Sequence, residues 1–259
     1  MRSSKVNWYK YASPVNFYPV AGKLIPWFAV PAASLFILGL YQSFFVAPTD
    51  FQQGEVYRII FIHVPAAWMG MFLYLLLAFY AGIGWAFNAR LSSMMASSLA
   101  PTGAIFTFLS LVTGALWGKP TWGTYWAWDA RMTSTLILMF LYIGFISLQA
   151  AIDDRRRADR AGAVLALVGV INIPIIYFSV QWWNTLHQGA TIRLLNEPTM
   201  APPMLRAMFI MLAACWLYSV AVVLYRLRGV ILERELGTAR VAAADPQLAQ
   251  LPQIRKGVI

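Results

Sequence analysis

The stretch "IIFIHVPAAWMGMFLYLLLAFYAGIGWAFNA", residues 59 to 89, carries no formal charge. A helix needs ~20 residues to cross a ~30 Å hydrocarbon core, so this run is longer than one crossing requires and one end must tilt or project into the interface. His63 lies at that end. Working outward, further apolar runs fall at about 24–46, 94–116, 132–152, 161–180 and 204–225, which predicts six spans with both termini on one side. The composition agrees, since 60% hydrophobic against 12% charged residues lies outside the range of ordinary soluble domains. The expected fold is an all-α integral membrane protein with six transmembrane helices.

Orientation follows from the placement of Lys and Arg. Of the 20, all but Arg58, Lys119, Arg131, Arg193 and Arg206 fall on the side of the termini and of the "DDRRRADR" turn, residues 153 to 160. That bias predicts cytoplasmic termini and an outward-facing Trp-rich loop between helices 3 and 4, which the resemblance given below makes periplasmic. The expected division is a cytoplasmic segment 1–23, a membrane domain 24–228 and a polar cytoplasmic tail 229–259. No cleavable signal peptide is expected, because residues 1–23 mix polar and aromatic side chains without a short apolar core. The formal charge of +10 follows this bilayer logic rather than a phosphate-binding face, so no nucleic acid partner is expected. With Cys215 as the one cysteine, there is neither an intrachain disulfide nor a CxxCH heme-attachment motif.

The same parity places both histidines of the chain, His63 and His187, on the outer side, together with "WGKPTWGTYWAWDARMTS", residues 117 to 134. Taken as helical, residues 121 to 129 put Trp122, Tyr125, Trp126 and Asp129 at i, i+3, i+4 and i+7, an aromatic strip ending in a carboxylate, with Pro120 in a first turn and Trp128 pointing elsewhere. An interfacial aromatic belt is the plainer reading of such residues. Four Trp in this short loop, with Trp182 and Trp183 in the other large outer loop, are a concentration that a belt explains poorly. Asp129 also reads as the N-cap of the fourth span, and Arg58 and Arg131 as headgroup anchors. Pro65 reads as a common membrane-helix kink or as a bend beside His63.

Two outward histidines beside a Trp-rich loop fit a metal or heme site better than an incidental placement. Zinc is disfavoured, because the outer loops add only Asp50, Glu55, Asp129 and Glu197. Heme asks for less: two axial imidazoles, aromatic packing for the macrocycle, and cations such as Arg58, Lys119, Arg131 or Arg193 for the propionates.

The Trp-rich segment resembles the WWD signature of the heme-handling proteins of cytochrome c biogenesis. "HVPAAWMGM" (63–71) and "WWNTLHQGATI" (182–192) resemble the flanking histidine segments of one group, the heme exporter protein C (CcmC) family of the cytochrome c maturation system. The resemblance covers roughly residues 24 to 228. It implies a bacterial inner-membrane protein that holds b-type, non-covalent heme at the periplasmic face and passes it to the heme chaperone CcmE. His63 and His187 would be axial ligands, and Trp117, Trp122, Tyr125, Trp126, Trp128 and Asp129 the platform, with Trp68, Trp182 and Trp183 as further outer aromatics. Implied partners are CcmE, the small membrane protein CcmD, the ATPase CcmA, the permease CcmB and membrane lipid. The chain has no GxxxxGK[ST] of its own, and a transport or handover role is expected in place of catalysis. Two rivals remain at this stage: a cytochrome b-like electron-transfer subunit, which needs histidines at membrane depth, and a heme-free transporter permease with a structural Trp plug.

Overall fold

A computed structural model describes residues 12–187 and 200–235 of the chain. Helix α1 (Pro14–Tyr41) runs into a π turn (Gln42–Val46), and a 3-10 turn (Glu55–Ile59) leads into α2 (Ile60–Phe87). Then follow α3 (Arg90–Trp122), α4 (Ala130–Ala151), α5 (Arg155–Gly169), α6 (Asn172–Trp182) and α7 (Pro202–Glu235). With α5 and α6 counted as one broken crossing, six helices are long and apolar enough to cross a membrane. Among the described residues no strand forms beyond an isolated bridge between Asp50 and Gly54. The chain is an all-α membrane protein.

Local chemistry sets most helix ends. Pro14 stands in the first turn of α1, where its missing N–H has no helical partner to lose. Asn88, in the left-handed region at φ 51°, ends α2. Asp129 and Asp154 cap α4 and α5, accepting from the backbone N–H of Met132 at 2.7 Å and of Arg157 at 2.8 Å. The fifth crossing breaks at Gly169–Asn172 because Pro174 has no N–H to offer Val170. That carbonyl accepts from Ile173 N at 3.0 Å instead, while the buried Asn172 side chain donates to Ser134 O at 2.8 Å and ties the break to α4.

Helix α2 packs most extensively on α3, and α1 on α7. On the α2–α3 seam Gly70 lies against Thr107 and Gly84 against Ser93, close approaches that small residues allow where lipid offers no hydrophobic drive for association. Tyr142 of α4 enters beside this seam fully buried, and its hydroxyl donates to Gly70 O at 2.8 Å. Its ring meets Tyr74 edge to face at 5.1 Å. At one end of the bundle, away from the histidines, charges lock the helices. Arg234 of α7 donates to Asp159 at 2.9 Å, and to Ser97 and Gln149 at 3.2 Å each. Arg155 pairs with Glu233 at 2.6 Å, and Arg90 pairs with Glu235.

Three expectations change. Most helices extend past the apolar runs: α1 begins ahead of residue 24 and includes Lys23, and α7 continues beyond 228 to Glu235. Residues 121 to 129 are not a helix. Instead α3 carries straight through Pro120 to Trp122, where Gly123 at φ 78° turns the chain and donates to Lys119 O at 3.1 Å. A residue with a side chain pays a steric cost at that φ, which is why glycine stands there. Trp122 therefore belongs to a helix end, and Tyr125, Trp126 and Trp128 to an irregular segment leading to α4, so the expected i, i+3, i+4, i+7 strip does not form.

Candidate functional site

Packing gathers both histidines, Asp129 and two of the tryptophans at the same end of the bundle. His63 lies in the opening turns of α2 and leans on α3 where Gly114 leaves room: a Cβ there would stand 3.0 Å from His63 Cε1. Its Nδ1 is 3.0 Å from Thr113 Oγ1. One turn further along α3, Trp117 meets the imidazole edge to face at 5.7 Å. Trp117 is itself held, donating from Nε1 to Gln53 Oε1 at 2.7 Å and packing on Tyr57 at 5.8 Å.

His187 lies beyond the end of α6, and its mount comes from the start of α4. Asp129 uses its two oxygens for two tasks: Oδ1 caps α4 through Met132 N, and Oδ2 lies 3.0 Å from His187 Nδ1. Both side chains are well shielded, at 14% and 7% exposed for His187 and Asp129. Burial holds the His187 imidazole below its ordinary pKa, against the opposing pull of the Asp129 carboxylate. At neutral pH the ring is then neutral. Its Nδ1–H donates to the carboxylate, which leaves the Nε2 lone pair available. Trp122 lies against this ring at 4.8 Å, so each histidine has its own tryptophan, both from the final turns of α3. Arg131 and both imidazoles are within electrostatic reach of one another.

The remaining aromatics form a second tier. Trp126 and Trp128 meet edge to face at 5.4 Å, and Trp128 is 76% exposed. The buried Trp126 Nε1–H and Thr185 Oγ1 have no partner among the described residues. Such groups cost about 1–3 kcal/mol each unless something pairs with them, which suits a ligand bearing acceptors. Trp182 and Trp183 contact each other, and Trp182 stacks on Phe178 at 5.2 Å. Trp68 is half exposed on α2.

The expected cations have intramolecular tasks. Arg58 donates to the carbonyls of Ser43 and Ala47 at 2.7 and 2.9 Å, closing the end of the first crossing, and pairs with Glu55. Arg131 reaches Ser179 Oγ, Ile176 O and Tyr177 O at 3.3 to 3.4 Å, a cation at the C-terminal turn of α6. Lys119 donates to Gly123 O at 3.1 Å and sits over the Tyr125 ring at 5.4 Å. Arg193 lies outside the described residues. Thr113, Gln53, Tyr57 and Ser179 also support the site. Of these only Thr113 had a readable signal, since it stands four residues before Trp117 on one helical face.

Among the described residues no three His, Cys, Asp or Glu side chains gather to hold a bare metal ion. Two shielded imidazoles with tryptophan faces beside them match the needs of a planar iron macrocycle, whose own four nitrogens leave two axial positions to fill.

A family model described as heme exporter protein C (CcmC) matches residues 7–242. The heme exporter protein C of Escherichia coli K12 is 46% identical over 228 residues, covering 88% of this chain and 91% of that protein. The corresponding protein of Bradyrhizobium diazoefficiens is 44% identical over 234 residues, covering 90% and 89%. That of Paracoccus denitrificans is 36% identical over 229 residues, covering 88% and 95%. With the match running through every described helix, the chain belongs to the heme exporter protein C family.

Proposed function

We propose that this protein acts in heme export for cytochrome c maturation, binding b-type heme non-covalently at the periplasmic face of a bacterial inner membrane and handing it to the chaperone CcmE. His63 and His187 are the axial ligands through Nε2. Trp117 and Trp122 flank them, and Tyr125, Trp126, Trp128 and Asp129 complete the platform. The observation that carries this reading is that each ring has its Nδ1 engaged, by Thr113 and by Asp129, and a tryptophan at its side. An imidazole tied at Nδ1 presents Nε2 outward, the arrangement that orients a metal ligand.

The protein supplies position and the heme supplies the chemistry. Lys119 and Arg131 are the propionate contacts nearest the platform, and Lys119 still has two ammonium protons beyond its bond to Gly123. Arg58 serves first as a helix cap, and Arg193 extends the set. The Trp126 indole N–H is a further donor for a propionate oxygen. CcmD, CcmA and CcmB are the membrane partners in this reading, with residues 1–23 and the tail 229–259 on the cytoplasmic side. The expected result is that His63→Ala and His187→Ala each lower chaperone-bound heme in cells, while Arg255→Ala in the tail leaves it unchanged. Equal chaperone loading in all three strains overturns the ligand assignment.

A further inference from the structure

A threonine hydroxyl has one proton, and the surroundings of Thr113 show where it goes. Oγ1 lies 2.7 Å from the Leu109 carbonyl, which can only accept, with Ser110 O a longer second acceptor at 3.3 Å. With that proton committed, the contact of 3.0 Å to His63 runs the other way, from Nδ1–H to a lone pair on Thr113, with the Ser110 carbonyl as a second acceptor beside the ring. A neutral imidazole carries one N–H, so Nε2 of His63 keeps its lone pair. Bonding back to the i−4 carbonyl is common for Ser and Thr in membrane helices, and Ser98, Thr107 and Ser219 do it here. Thr113 differs in having a histidine from another helix on its second side. It is 7% exposed, and its neighbours Gly114 and Trp117 confine the same ring.

His187 has the same arrangement with different chemistry, because its Nδ1–H meets a carboxylate. A charged acceptor draws the N–H proton more strongly than a hydroxyl does, and so makes the opposite nitrogen the better electron donor. We propose that Thr113 is a positioning residue that holds His63 in the Nδ1–H form, and that its neutral hydroxyl makes His63 the weaker of the two iron ligands and the first to be displaced. This rests on the axial-ligand reading above. In the exchange the bond from iron to His63 Nε2 breaks as a bond to the incoming ligand forms. No electron is transferred, and the released ring keeps its proton on Nδ1, so no acid is required.

The test uses the full-length protein with 15N-labelled histidine, in wild type, Thr113→Val and Thr113→Ser. Two histidines give a spectrum simple enough to assign by comparison with His187→Gln. In the heme-free protein, His63 shows the Nδ1–H form in wild type and Thr113→Ser, and a population with the proton on Nε2 in Thr113→Val. In the reduced, heme-loaded protein, the carbon monoxide concentration that replaces one axial ligand in half the molecules falls about tenfold in Thr113→Val and returns to the wild-type value in Thr113→Ser. Asp129→Asn moves it less, because it weakens the ligand that stays. A Thr113→Val protein with the wild-type histidine spectrum and carbon monoxide response overturns the role of Thr113. A larger response in Asp129→Asn than in Thr113→Val overturns the order of release. Loaded wild type without a low-spin bis-histidine spectrum overturns the ligand reading instead, and the heme-free spectra then still decide the tautomer.

Discussion

His63 and His187 reach the same end of the bundle on different kinds of support. His63 is part of a helix packed along α3, so its position comes from that packing and its orientation from neutral contacts with Thr113, Gly114 and Trp117. His187 lies off the end of α6 and depends on a carboxylate that also caps α4. The contrast teaches that a side chain on a packed helix needs little further fixing, whereas one carried beyond a helix end needs a stronger, charge-assisted anchor. It also makes Asp129 the point where the fold and the site are joined.

Breaking that joint should have the largest effect. Asp129→Ala removes the anchor of His187 and the cap of α4, so heme affinity is expected to fall by about 10–100-fold, with about 1 kcal/mol lost in stability. Heme titration and thermal melting measure the two separately. Asp129→Asn sharpens the comparison: an asparagine still caps, so the melt stays near wild type while affinity falls. An Asn variant with wild-type affinity would show that the charge on the anchor is unimportant.

Gly114→Val tests the other mount. The ring of His63 already lies as near as a Cβ at Gly114 would allow, so added methyls push it away from Thr113. Heme affinity should fall by about tenfold on the scale of a misplaced ligand, and unaltered binding would mean the ring has room to move. Next come the tryptophans. Trp117→Leu and Trp122→Leu each remove an aromatic contact to one histidine, a loss of about 0.5–1.5 kcal/mol in binding. Isothermal titration with heme would show whether the closer contact, Trp122 on His187 at 4.8 Å, costs more than Trp117 on His63 at 5.7 Å.

The smallest effect on heme belongs to the far end. Arg234→Ala leaves Asp159, Ser97 and Gln149 without their shared donor, at a cost of about 1–3 kcal/mol in stability. It should leave the heme absorption spectrum unchanged. A spectral change there would mean that the two ends are coupled through the helices.

The six crossings were legible because apolar length is a strong signal, and the pairing of both histidines with one end followed from parity alone. Helix ends were less legible. Lys23, Arg90, Arg155 and Arg234 all lie inside helices, where Arg90, Arg155 and Arg234 have ion-pair partners, so a count of charges truncates spans that in fact continue. Pro120 suggested the first turn of a new helix, yet α3 passes through it, with Thr121 Oγ1 donating to Trp117 O at 2.7 Å in that turn. The break in the fifth crossing was not legible in the apolar run 161–180, whose hydropathy is continuous across it. The partners of the histidines were least legible. Thr113 and His63 are 50 residues apart, and Asp129 and His187 are 58 apart, so only helix packing and a chain turn bring them together. For Asp129 the capping and ligand-side readings looked like alternatives, and its two oxygens satisfy the capping contact and the histidine contact at once.

The most direct measurement is the absorption spectrum of the purified protein, oxidised and reduced, with wild type beside His63→Ala and His187→Ala. Two imidazoles on one iron predict a sharp low-spin spectrum in wild type that weakens or turns high-spin in both variants. A folded wild-type protein, prepared with its partners present and showing no heme, or variants that keep the wild-type spectrum, would contradict a site built from His63 and His187.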